Sequence, residues 1–170
     1  MLLSKQLIIS TIEIAKEAGE AISQIYNSDF DYQIKKDLSP ITAADRLSHK
    51  IIAERLKILT PETPILSEES CNIPFKVRAQ WSDYWLIDPL DGTKEFINNN
   101  GEFTVNIALI KNNTPILGII HIPITHETYW GSKNKGSFYL NENDDVVSIS
   151  VSNNHQNPIR IVASRSHPSE

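Results

Sequence analysis

Four acidic side chains in two short runs have the types and spacing to do chemistry. Glu68 and Glu69 are adjacent, and Asp88 and Asp91 fall within Trp85-Leu86-Ile87-Asp88-Pro89-Leu90-Asp91-Gly92-Thr93. The second run reads as an apolar strand ending in two carboxylates, then a glycine turn and a hydroxyl. Across the Pro-Leu bend, Asp88 and Asp91 can both point from the strand end toward one place. Two close carboxylates repel unless positive charge sits between them. A hard divalent cation such as magnesium, which prefers oxygen ligands, meets that need. Gly92 lets the backbone approach a ligand, and the amides after it can face an anion if a helix begins there. A metal beside an anion cradle points to phosphate chemistry. Each piece also has an ordinary reading. Asp91-Gly92 alone is a turn, Glu68-Glu69 alone is a solvated surface pair, and Asp45 alone stabilises a helix N-terminus.

The elements that must position these groups follow from periodicity. Leu7, Ile8, Ile12, Ala15, Ala18, Ile22 and Ile25 recur at helical spacing, so Met1 to Tyr26 reads as one amphipathic helix. A second helix is predicted from about Ala43 to Leu59, with Thr42 as N-cap, Asp45 in a capping-box position and Pro61 and Pro64 closing the region. The pattern then becomes strand-like: Ile65-Leu66, Tyr84 to Ile87, Phe103 to Ile110 and Ile116 to Ile122. The last two flank Lys111-Asn112-Asn113-Thr114, a hairpin. Thr128 to Trp130 and Ser137 to Leu140 make two further strands around Gly131 and Gly136, residues 141–158 read as a polar connection, and Ile159 to Ala163 is a final apolar run. Two helices followed by strands predict an α+β fold, the N-terminal helices packed on a mostly antiparallel sheet.

Composition narrows the function classes. The chain has 170 residues, enough for one ordinary domain core, and a formal net charge of −5, which argues against nucleic acid as a partner. A single cysteine, Cys71, leaves no internal disulfide framework and fits a reducing compartment. No apolar run approaches the ~20 residues that span a bilayer, and the N-terminus lacks leader character. A cytoplasmic setting is the expectation.

The joint pattern is more specific than its parts. Ser39-Pro40-Ile41-Thr42-Ala43-Ala44-Asp45, then Glu68-Glu69, then Asp88-Pro89-Leu90-Asp91-Gly92-Thr93 occur in the order of the inositol monophosphatase superfamily, which the chain resembles over essentially its whole length. Asp88 to Phe96 and Ser164-Arg165-Ser166-His167 resemble the 3'(2'),5'-bisphosphate nucleotidase branch. The resemblance implies a lithium-sensitive phosphatase using two or three magnesium ions. By it, Glu68, Asp88 and the Leu90 carbonyl bind a first metal, Asp88 and Asp91 a second, and Glu69 acts through water. Asp45 and Thr93 form the pair that activates the attacking water, the Gly92 and Thr93 amides hold the phosphate, and Ser164 and His167 contact the nucleotide. Glu68, Leu90 and Asp91 thus face both metal and substrate. The implied reaction is hydrolysis of adenosine 3',5'-bisphosphate, or its sulfated form, releasing phosphate during sulfate assimilation. The alternatives are an inositol monophosphatase-like sugar phosphatase, or a non-catalytic remnant or half of a split enzyme.

The family pattern also implies a later Trp-Asp-x-Ala motif, whose aspartate ligates the second metal, in a C-terminal α/β domain. Nothing after His167 supplies it. The expectation is a metal-binding domain over residues 1–157 and the first strand of an α/β domain over 158–170; a downstream domain carried on a separate partner chain belongs to the split-enzyme alternative. Some members associate peripherally with the inner membrane; no segment here carries a signal for it. His121 and His126 are too far apart for a one-turn metal pair and read as strand-end or surface residues, Trp81, Trp85 and Trp130 as core or core-edge residues, and Lys35 and Lys36 as solvated loop lysines.

Overall fold

Two long helices form where the 3.6-residue periodicity places them. The computed structural model describes residues 3–28, 32–34, 40–70 and 72–152. Helix α1 spans Lys5–Tyr26 and starts where Ser4 Oγ accepts the Leu7 amide at 3.1 Å. Strands β1 (Tyr32–Ile34) and β2 (Pro40–Thr42) pair as a small antiparallel ribbon leading into α2, Ala43–Leu59. The predicted capping box opens α2: Thr42 Oγ1 accepts the Ala44 and Asp45 amides while Asp45 Oδ2 accepts the Thr42 amide at 2.7 Å.

The remaining elements are β3 (Ile65–Ser67), a 3-10 turn (Glu68–Ser70), α3 (Phe75–Arg78), β4 (Asp83–Asp91) and α4 (Thr93–Ile97). Then come β5 (Thr104–Lys111), β6 (Thr114–Ile122), β7 (Glu127–Ser132), β8 (Gly136–Leu140) and β9 (Val146–Ile149). Among the described residues, β3 to β9 form one seven-stranded sheet in chain order, antiparallel except for the β3–β4 pair. The β5–β6 hairpin turns on Asn112 and Asn113, both at positive φ (47° and 57°), which matches the right-handed twist of the flanking strands. Strand β9 corrects the expectation of a plain connection there: Val146–Ile149 pairs with Leu140–Ser137.

Alternation sets which face is core. Trp85 and Ile87 on β4, Val105, Ile107 and Leu109 on β5, and Leu117 and Ile119 on β6 are buried with Ile8, Ile12, Ala15, Ile22, Ile52 and Leu56 of the two helices. Large side chains of this kind stabilise by roughly 1.5–3 kcal/mol each on burial. Trp85 is fully buried, and its indole N–H donates to Thr60 Oγ1 at 2.8 Å, so its polar atom is satisfied. Trp130 stacks on Phe138 at 4.2 Å and Trp81 packs near Tyr84 at 5.9 Å. Phe96 of α4 locks against Tyr26 and Phe103, with centroids 5.2–5.3 Å away, which pins α4 to the end of α1. The opposite face, with Leu86, Ile120 and Tyr129, is more exposed.

Candidate active site

Register brings the two acidic runs together. Ile65, Leu66 and Ser67 pair in parallel with Trp85, Leu86 and Ile87. One more step of that register sets Glu68 beside Asp88, although they lie far apart in sequence. Strand β4 runs beyond the expected Tyr84 to Ile87 and carries both aspartates, ending at Asp91. Its pairing with β5 slips on the way: Asp88 faces Asn106, while Asp91 faces Thr104. Three steps on β4 oppose two on β5, so one extra residue is accommodated at Pro89-Leu90. In an unbroken strand, residues three apart point to opposite faces. The bulge re-phases the strand and turns Asp88 and Asp91 to the same side. Proline, which has no N–H for the ladder, is tolerated at such a slip. Asn106 then donates its side-chain N–H to Asp91 Oδ2 at 2.9 Å.

The electrostatics of this cluster are strained. Burial, then the carboxylates of Glu68 and Asp91, then a hydrogen bond with Glu68 push Asp88 up to about 7. Its Oδ1 is buried with no hydrogen-bond partner. Among the described residues, no three His, Cys, Asp or Glu side chains are arranged to hold a metal ion as they stand. The donor set nevertheless fits a hard cation: three converging carboxylates, one with an unmet buried oxygen, raise the energy of the charged form in a way a divalent cation relieves. Glu69 lies in the 3-10 turn, its amide donating to Ser67 Oγ at 3.3 Å. Asp88 also lines a trough of about 480 Å³ on the open sheet face, with Leu86, Asn106, Gly118 and Tyr129.

Asp45 and Thr93 meet although 48 residues separate them. Thr93 Oγ1 lies 3.2 Å from Asp45 Oδ1 and 3.2 Å from the Leu90 carbonyl oxygen. Asp45 is buried, and its other oxygen accepts from the Thr42 amide and hydroxyl. The capping role and the pairing with Thr93 therefore coexist, one carboxylate oxygen serving each. Thr93 opens α4, as the anion-cradle reading required. Gly92 is needed for a different reason than ligand approach. It sits at φ 92°, and a Cβ there would meet the Glu102 carbonyl oxygen at 2.9 Å. The chain's own backbone demands the glycine.

Ser48, His49, Ser67 and Asn106 also hydrogen-bond within and around the site, and no motif in the sequence marks them. Ser48 Oγ donates to the Pro89 carbonyl oxygen at 2.7 Å, and His49 Nδ1 lies 2.8 Å from Ser67 Oγ. Burial lowers the pKa of His49, with the field of Glu69 opposing that shift. The available signal was their phase: Ser48 and His49 share the helix face of Ile52 and Leu56, where apolar residues are the default. His121 is a buried strand-end residue, packed against Gly19 of α1 and 2.9 Å from Thr128 Oγ1. Ser164, His167, Lys35, Lys36, Cys71 and the run Ile159 to Ala163 lie outside the described residues, as does the proposed segment 158–170. No described helix is long and apolar enough to cross a membrane.

Helices layered on one face of a sheet, with a carboxylate cluster at a bulged strand end, define an α+β protein whose site is built around acidic groups. The sequence as a whole narrows this class: the profile of the Inositol monophosphatase family matches residues 4–170, and the chain belongs to that family. It is 45% identical over 157 residues to the 3'(2'),5'-bisphosphate nucleotidase CysQ of Escherichia coli strain K12, covering 91% of this chain and 62% of that protein. The nucleotidase CysQ of Shigella flexneri is 48% identical over 125 residues, covering 72% of this chain and 50% of that protein. Among solved structures, CysQ from Bacteroides thetaiotaomicron superposes with a TM-score of 0.71 at 39% identity, covering 83% of this chain and 51% of that one. The chain thus spans about half to three-fifths of the length of these relatives. The expected family and α+β layering are borne out.

Proposed function

We propose that this protein is a magnesium-dependent phosphatase that hydrolyses adenosine 3',5'-bisphosphate to AMP and phosphate. One observation carries the metal reading: the unpartnered buried oxygen of Asp88, held between two further carboxylates. The similarity to bisphosphate nucleotidases supports the substrate. Glu68, Asp88, Asp91 and the Leu90 carbonyl would hold two or three magnesium ions. When bound, magnesium supplies positive charge that neutralises phosphate oxygens and acidifies the attacking water.

The chain's own residues do the rest. Thr93 Oγ1 orients the water and passes its proton toward Asp45 Oδ1, 3.2 Å away. A threonine hydroxyl is no base at neutral pH, so the carboxylate behind it is required. The Gly92 and Thr93 amides hold the phosphate, Glu69 acts through a bridging water, and Ser164 and His167 contact the nucleotide.

The test is phosphate release from adenosine 3',5'-bisphosphate, run against an inositol monophosphate. It is run with and without the C-terminal half of a CysQ relative added in trans, because the relatives are longer. Thr93→Ala and Asp45→Asn should each lower kcat by about 10²–10⁴-fold with little change in KM. The double variant should lose little more than either single one. Additive losses would separate the two residues, and a preference for the inositol phosphate would overturn the nucleotide assignment.

A further inference from the structure

Helix α2 presents one face to the acidic cluster. Asp45, Ser48 and His49 stand at i, i+3 and i+4 and so project from one side of the helix. Ile52 and Leu56 continue the stripe into the core, fully buried. The apolar end of the stripe sets the depth and rotation of the helix against the sheet. The polar end then reaches three separate pieces of the site.

Asp45 holds Thr93 at the head of α4. Ser48 donates to the Pro89 carbonyl at 2.7 Å, inside the bulge that separates the two aspartates. Pro89 and Leu90 have no register partner on β5, so that carbonyl needs a donor from elsewhere, and the Ser48 hydroxyl provides it. His49 lies 2.8 Å from Ser67 Oγ, which also accepts the Glu69 amide at 3.3 Å. His49 is therefore tied to the turn that carries Glu68 and Glu69. Ser48 and Ser67 are almost fully buried, where paired polar groups rigidify their surroundings and unpaired ones are costly.

We propose that Ser48 and His49 are positioning residues which, with Asp45, make one face of α2 a jig holding the Glu68-Glu69 turn at a set distance from the Asp88–Asp91 bulge. The spacing of the carboxylates then selects the size of cation the cluster accepts. This rests on the metal reading of the cluster. Neither side chain need touch the metal; each holds the backbone that carries a ligand. Groups placed behind metal ligands in this way typically change metal affinity by about 10–100-fold when removed.

The probe is Mn²⁺ alone, its free fraction read by electron paramagnetic resonance on the 170-residue chain, with Ca²⁺ measured by competition. Ser48→Ala and His49→Phe should each weaken Mn²⁺ binding by about 10–100-fold. Ca²⁺ binding, which tolerates looser geometry, should fall less, so the ratio narrows. His49→Asn, whose carboxamide can place a hydrogen-bonding atom near Nδ1, should recover most of the loss. Ser67→Ala reaches the same contact from the sheet side and is read in place of any helix variant that fails to fold. Combined with His49→Phe it should cost little more than either alone. Variants that bind Mn²⁺ within twofold of wild type, or lose Mn²⁺ and Ca²⁺ equally, overturn the jig. A wild type that binds no Mn²⁺ removes the metal reading and the jig with it.

Discussion

Asp88 on β4 and His121 on β6 lie on opposite faces of one sheet, and burial disfavours the charged form of both. Burial, helped by the fields of His126 and Lys16, pushes His121 down to about 4. Burial, helped by Glu68 and Asp91, pushes Asp88 up to about 7. The two differ in what surrounds them. His121 pairs across the strands with Thr128, whose hydroxyl is 2.9 Å from Nδ1, and its ring fills the space over Gly19. Asp88 keeps an oxygen with no partner and faces like charges. A shifted pKa therefore does not by itself mark a functional site. The mark is an unmet requirement, and here it falls on the carboxylate and not on the imidazole.

The comparison breaks first at Asp88. On the proposed metal reading, Asp88→Asn should cut magnesium-dependent phosphate release by about 10³-fold or more, since it would remove a ligand to charge that stabilises the transition state. The same variant should melt higher than wild type in chelator at pH 8, because a disfavoured charge is gone, and should lose the metal-dependent rise in melting temperature. Wild-type-like turnover would remove the metal assignment, and a lower melting temperature in chelator would remove the strain.

His121 gives the next largest effect. It is neutral in the fold, while the unfolded chain takes up its proton near pH 6.5. Its contribution to stability is present above pH 6.5 and is lost as pH falls from 6.5 to about 4, where the folded state also protonates. The loss is on the order of 3 kcal/mol. Chemical denaturation across that window should show His121→Asn losing less stability on acidification than wild type. An identical slope in the two proteins would refute the assignment of that proton.

The smallest effect sharpens the separation of the two faces. A Cβ on Gly19 would clash with Cδ2 of His121, so Gly19→Ala forces ring and helix apart. Overpacking of this kind costs about 1–3 kcal/mol, part of which is offset by the roughly 1 kcal/mol better helix propensity of alanine. A fall of a few degrees in melting temperature is expected, with Mn²⁺ affinity unchanged. A changed metal affinity would mean that the α1 face and the acidic end are coupled.

Much of this was legible in the sequence because it is local. The periodicity of α1 and α2, the Thr42–Asp45 capping box and the Asn112-Asn113 turn depend on residues within a few positions of each other. Helices α3 and α4, with four and five residues, are too short to show a period. Strand β9 was hidden because Val146-Val147-Ser148-Ile149 sits in an otherwise polar stretch and earns its strand by pairing with β8.

The sequence by itself determined the inventory of the site: which carboxylates, which hydroxyl, and the order in which they occur. Tertiary structure alone decided that Glu68 neighbours Asp88, through the parallel register of β3 on β4. It also decided that Asp88 and Asp91 share a face, through the slip against β5, and that one oxygen of Asp45 reaches Thr93 while the other caps its own helix. The reason is physical. Residue type and short-range spacing act along the chain, whereas register, bulge and helix rotation are set by packing between segments that meet only after folding.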